Sequence, residues 1–517
     1  MERTERPERM ERTERPERME RPERPALPVP VPVTAPVADA ETEPLAPGSG
    51  GALTRLLEAV AKMLQPKPAE KEAESAPPLR TEATVFTIVV AAMTGDSADG
   101  AASQAIYKAL DARATLRVKP LPRPLVLDDP QEPAQVAALL SSARRCVAEE
   151  EADLLVWGDV TKDGYRLRFV GAAPADEEKP AVFGPQFRLE LPLALGEAQW
   201  HMLYAAVLTA ADPANQMQRA AVRRLLPAAV VPLETLAAKP PVALSMGQQR
   251  SMLLTYGHVA TACALSGPPS QADAWFEKAA NAYLAAEKRL ARGDPPWEAG
   301  LIHKDLAASL TARAERVKDK AGEYLDLAVK HWRAAAGALT RATLPQEWAA
   351  AQTRLGVALH RLDLLTGNSE LLREALGALQ AALQVHSRAE APQRWADVMN
   401  SIAQVLEVYG DQLKNPEVLK RAIDACHLVL EVRTRDRTPL AWASTLNTLG
   451  SALFLMDRHG GGVAHLDEAA KAYESALEVF AAHGAKGPAQ VATRNLAHVR
   501  KLIEERRGRA VIDPDWR

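Results

Sequence analysis

Residues 433–453 read RTRDRTPLAWASTLNTLGSAL, and residues 380–406, one stride earlier, read QAALQVHSRAEAPQRWADVMNSIAQVL. Both place a Pro, a Trp three residues later, and then a large apolar residue followed by a small one. The stride is 47 residues: Leu355-Gly356, Ile402-Ala403, Leu449-Gly450 and Leu496-Ala497 fall in register. Upstream, Leu306-Ala307 and Tyr256-Gly257 extend the series at slightly longer strides. Trp348, Trp395 and Trp442 precede three of these pairs by seven residues, and Trp297 opens a less regular unit.

A second set of columns follows in each unit. Ala375, Ala422 and Ala469 align, as do Leu379, Cys426 and Tyr473 four residues later, and Ala382, Val429 and Ala476 beyond them. Ala279, Tyr283 and Ala286 form the same column in the first unit, with Ala328, Trp332 and Ala335 in the second. Offsets of four and seven share one helical face, so each unit reads as a pair of antiparallel helices. Two helices approach to about 8 Å only where one offers no bulk. This predicts Gly450 and Ala469 at the closest contact inside a pair, with Trp442 and Tyr473 anchoring one pair to the next. Pro439 marks the start of a new helix.

These columns, best carried by WASTLNTLG with EAAKAYESAL, resemble the tetratricopeptide repeat. TRDRTPLAWASTLNTLG is similar to the longer repeat of bacterial proteins, and the resemblance spans residues 245–506. It implies an α-solenoid of about five helix pairs plus a final helix, wound as a right-handed superhelix with a concave groove for a protein or peptide. The family's groove positions map here onto Lys304, Thr353, Asn400, Asn447 and Arg494, two before the large residue. Two after it come Gln404, Ser451 and His498, with Glu407 and Lys501 a turn later. Asn suits a peptide backbone because it donates and accepts at once. The full Lys and Asn set of a carboxylate clamp is missing. Thr340-Arg341, Ser387-Arg388 and Thr434-Arg435 also recur; Arg near a helix carboxyl end favours the dipole, so they read as a structural ladder.

Over residues 84–212 the periodicity changes. TVFTIVVAAM, TLRVKPL, DLLVWGDV, YRLRFVGA and QFRLELPL read as strands, the third and fourth joined as a hairpin at Asp163-Gly164. GAASQAIYKALDA, PAQVAALLSSARRCVAEEEA and EAQWHMLYAAVLTAA read as helices, which gives a small α/β sandwich domain. The order resembles the TolB-type amino-terminal domain, matched at Ile88 to Met93, Leu116 to Val118 and Ala152 to Val160. Ala91-Ala92 stand where that family has Pro-Phe, so the resemblance implies a shared fold rather than a shared partner. The turn MTGDSADGAAS opens a helix but lacks the glycine and lysine spacing of a phosphate loop.

The remaining segments are simpler. Residues 1–50 hold a Glu-Arg repeat and a Pro-rich linker, whose composition predicts disorder. Residues 51–83 hold a short amphipathic helix with Leu53, Leu56, Leu57, Val60 and Leu64 on one stripe, then a linker. Residues 213–244 form a helical connector and 507–517 a tail.

The 517 residues exceed one core, and 63 Lys plus Arg against 66 Asp plus Glu leave a formal charge of −3. No bulk field therefore selects nucleic acid or acidic lipid. Cys146, Cys263 and Cys426 are far apart, and Cys426-His427 diverge on a helix and cannot share a metal. No apolar run reaches the roughly 20 residues of a membrane span, and no secretory signal opens the chain, so the expected location is the cytoplasm.

The reading is a non-enzymatic scaffold for a protein or peptide, with no cofactor, no nucleic acid and no integral membrane segment; homo-oligomer formation is left open. The alternative is a nucleotide- or small-ligand-sensing α/β module governed by the repeats, with Asp96, Asp99, Asp128, Asp129 and Asp159 as its acids. A bacterial envelope role is the third reading.

Overall fold

The computed structural model describes residues 85–127, 132–173, 176–460 and 463–512. The expected disorder of 1–50, the helix at 53–64, and Asp128 and Asp129 lie outside the described residues.

The first domain is a five-stranded sheet of order β2-β1-β3-β4-β5. β1 (Phe86–Ala92) runs parallel to β2 (Leu116–Pro124) and to β3 (Leu154–Thr161). β3 turns back antiparallel into β4 (Gly164–Gly171), which pairs with the short β5 (Leu189–Leu191). Thr161 faces Gly164 at the hairpin, where φ is +141° and a Cβ would meet the Leu191 carbonyl oxygen at 1.9 Å, so only glycine fits. Pro120, Pro122 and Pro124 are tolerated because β2 is an edge.

Period-two alternation sorts the sheet into two faces. Phe86, Ile88, Val90, Leu154, Val156 and Leu167 pack with α1 (Ala101–Asp111) and α3 (Glu197–Ala210). Val89, Ala91, Leu155, Trp157 and Val170 pack with α2 (Pro133–Glu149) on the other side. The expected strand QFRLELPL shortens to three residues because Arg188 leaves the ladder: its carbonyl accepts from Ser251 at 3.0 Å and its guanidinium pairs with Glu298 at 3.0 Å.

α4 (Gln216–Ala238) connects this domain to a long run of helices packed in adjacent pairs. They are α5 (Met246–Ser266) with α6 (Pro269–Glu287), α7 (Pro296–Arg316) with α8 (Ala321–Ala338), and α9 (Pro345–Thr366) with α10 (Ser369–Ala382). α11 (Pro392–Gln412) pairs with α12 (Pro416–Leu430) and α13 (Pro439–Arg458) with α14 (Val463–Ala482), before the final α15 (Lys486–Ile512). α15 continues beyond the expected end at 506, since ERRGRAVI contains no proline to stop it. Pro345, Pro392 and Pro439 occupy the first turn of their helices, where the missing N–H costs nothing.

Three glycines of the repeat pairs make room first for a different neighbour from the alanine expected, although Gly356 also meets the Ala375 carbonyl. A Cβ on Gly450 would lie 2.9 Å from the Tyr473 ring, one on Gly257 2.8 Å from the Tyr283 ring, and one on Gly356 2.6 Å from Leu379. Gly450 therefore makes room for the large column residue of its own pair, and Tyr473 acts within the pair rather than between pairs. Trp348, Trp395 and Trp442 are only half-buried. The fully buried anchors are Trp332, Tyr283 and Tyr473.

The arginine ladder is structural, with a different partner from the helix dipole. Arg341 reaches Gln384 at 3.0 Å, Arg388 reaches Glu431 at 2.7 Å and Arg435 pairs with Glu478, each 43 residues further on. The Thr340, Ser387 and Thr434 hydroxyls accept the backbone N–H three residues later, shaping the same turn three times.

Candidate functional site

The first helices of successive pairs touch one another, α5 to α7 to α9 to α11 to α13 to α15, and make one continuous wall. The connection between β4 and β5 runs across this wall. Its base is held at α5: Phe183 stacks on the His258 ring at 4.7 Å, and His258 Nε2 lies 3.1 Å from the Val182 carbonyl. Ser251, also on α5, accepts the Glu190 N–H at 2.8 Å, so a helix side chain satisfies the sheet edge.

The acidic tip Asp176-Glu177-Glu178 reaches further. Lys304 on α7 donates to the Glu177 carbonyl at 3.5 Å. Arg354 on α9 pairs with Glu178 at 3.2 Å. Arg394 on α11 pairs with Asp176 at 3.3 Å and Glu178 at 3.5 Å. One segment thus touches the first helices of four consecutive pairs. Burial lowers the Arg394 guanidinium, but Asp176 and Glu178 outweigh it and hold the group above its usual range. Burial raises Glu178 against the pull of Arg354 and Arg394. Lys304 loses to burial less than it gains from Asp305, Glu177 and Glu347, and it too lies above its usual range.

Beside this contact, a narrow cleft of about 70 Å³ lies between Phe187, Arg188 and Glu190 of the sheet domain and Arg250, Leu254, Trp297 and Lys304 of the helices. Its charges are paired: Arg250 holds Asp294 at 2.5 Å and Glu298 at 2.6 Å, and Arg188 holds Glu190 at 2.8 Å.

The expected groove residues divide into three groups. Lys304 is on the wall and covered by the acidic segment. Thr353 is buried and donates to the Ala349 carbonyl of its own helix; Asn447 is buried, and Ser451 is buried and bonds the Glu407 carboxyl on α11, so helix packing takes these three from a ligand. Asn400, 8% exposed, shares the Lys304 column two repeats on, and its Oδ1 has no hydrogen-bond partner among the described residues. Gln404 is half-exposed one turn later, while Arg494 and His498 are exposed on α15, where His498 meets the Phe454 ring edge-on.

Sequence reasoning missed His258, Arg354 and Arg394. The available signal was charge pairing: Asp176-Glu177-Glu178 in one domain and basic residues beside the repeat columns in the other. Of the candidate acids, Asp96 accepts from Ser97, Ala102 and Ser103 and caps α1. Burial pushes Asp96 up, but Ser103 and the backbone N–H groups carry it below the usual range. Asp99 accepts from Ser97 at 2.6 Å, and Asp159 pairs with Arg166 at 3.6 Å. Among the described residues no group of three or more His, Cys, Asp and Glu is placed to hold a metal, and no helix is long and apolar enough to cross a membrane.

The fold and this wall define a helical-repeat protein that lays a turn-rich loop of its sheet domain across its first helices. No protein-family model matches the chain, and no curated protein matches it. Among solved structures it is similar to a Rap protein complexed with competence and sporulation factor, at 14% identity over 60% of this chain and 78% of that one, with a TM-score of 0.24. It is also similar to a structure from the computational design of self-assembling cyclic protein homooligomers, at 11% identity over 59% of this chain and 94% of that one, with a TM-score of 0.12.

Proposed function

We propose that this protein is a non-enzymatic interaction scaffold of tetratricopeptide type, wound as a right-handed superhelix, which holds an extended stretch of a protein partner on its first-helix wall. One observation carries the reading: the chain lays a segment of its own across α5, α7, α9 and α11, held by a polar or basic side chain from each. A surface whose side chains hold one loop by its carboxylates and carbonyls can hold a segment of another chain in the same way. The sheet domain, TolB-like in order, supplies the segment and packs it against the wall. Chemistry of the α/β domain is disfavoured because Asp96, Asp99 and Asp159 are engaged in capping, turn and ion-pair contacts.

The test is site-specific photo-crosslinking in the full chain. A photoreactive residue at Gln404, on the wall, should capture a protein from native lysate. The same residue at Arg373, on the exposed side of α10, should not. Capture at Arg373 alone, or at neither position, would overturn the proposal.

A further inference from the structure

We infer that the wall recognises acidic extended peptides, and that the chain's own Asp176-Glu177-Glu178 segment occupies this recognition surface as an intramolecular competitor. The inference rests on the scaffold reading above and adds to it the chemistry of the partner and the means of its control.

Three observations converge. First, the tip and the base of the segment are held differently. The base is anchored by aromatic packing of Phe183 and Phe187 around His258, whereas the half-buried tip is held by Lys304, Arg354 and Arg394. An ion pair gives way to an equivalent one at little net cost, so an incoming carboxylate can replace the tip while the base stays docked. Second, the charge is complementary at the point where it counts. Lys304 is already paired with Asp305 at 3.4 Å, which leaves Arg354 and Arg394 as the readers of carboxylates. Asp397, one turn from Arg394, has its charge taken up by Arg433 at 2.5 Å and so competes less for Arg394.

Third, the surface continues past the segment that covers it. The tip ends at Arg394, yet on the same helix Asn400 keeps a carbonyl oxygen buried and unpartnered among the described residues, with Gln404 half-exposed a turn later. The Asn400 oxygen is enclosed within the fold, whereas Gln404 is open to a partner that places carboxylates on Arg354 and Arg394 and runs further along α11.

The test uses the full chain and fluorescein-labelled hexaglutamate as the probe, read by anisotropy at low salt. Because only the fraction of molecules with a free wall binds, Asp176→Asn with Glu178→Gln should bind roughly ten-fold tighter than the native chain. Adding Arg354→Gln and Arg394→Gln should abolish that gain. Equal affinity for the native and loop-neutralised chains, both lost with the arginines, would overturn the competition while leaving the scaffold reading intact. Binding that ignores the arginines, or no binding to any variant, would overturn acidic recognition; failure of the scaffold reading itself would show separately, as no crosslink at Gln404. A single-stranded oligonucleotide binding the arginines more tightly than hexaglutamate would assign the wall to nucleic acid and overturn the peptide inference. Independently of any substitution, saturating hexaglutamate should speed amide hydrogen exchange at Glu178 and Lys179 in the native chain, and unchanged exchange there would count against the competitor.

Discussion

Gly450 has no side chain because the Tyr473 ring lies where one would go, 2.9 Å from an ideal Cβ. Tyr473 is fully buried and belongs to the paired helix, so neither helix can retreat without opening the core around Leu446, Leu449 and Leu453. Replacing Gly450 with Leu overpacks this contact and should cost about 1–3 kcal/mol in urea unfolding of the full chain. A neutral outcome would mean that the ring moves aside freely. The large-small column was legible from spacing alone. Its partner was not, because periodicity identifies which residues share a face but not which side chain of the facing helix fills the gap. Ala469 carried the expectation and Tyr473 does the filling.

At the scale of helices, turns and starts follow local chemistry that the sequence displays. Pro at the first turn, a Ser or Thr hydroxyl closing the preceding loop, and an Arg reaching the next second helix recur at the 47-residue stride. Contacts between first helices were not legible, since they join residues whose polarity reads as solvent-facing. Glu407 is the clearest example: expected near the groove, it is buried between α11 and α13 and bonded to Ser451. Burial pushes its carboxyl from an ordinary 4.5 up to about 8, with Ser451 opposing and Asp411 adding to the rise. The folded chain thus keeps a proton that the unfolded chain releases. Its contribution to stability is complete below about pH 4.5, declines as pH rises and is lost through about pH 8. Glu407→Gln, neutral at every pH, should flatten that part of the Tm profile between pH 5 and 8. Parallel profiles for the two proteins would contradict the assignment.

At the scale of the molecule, the division into an α/β domain and a helical array was legible because the apolar period switches from two to 3.6 residues. Their engagement was not. The stretch 173–185 reads as an ordinary link between strands, and only the fold brings its acids onto Arg354 and Arg394, far along the chain. Both the wall as a binding surface and its control by the acidic tip depend on that contact. The most direct measurement is a double-mutant cycle on stability in the full chain, using Glu178→Gln, Arg354→Gln and their combination. The Glu178 and Arg354 side chains are 16% and 29% exposed, shielded enough to couple, and the cycle should return an interaction of about 1–3 kcal/mol. Additive effects, with no interaction beyond error, would place the acidic tip away from the wall and contradict the account.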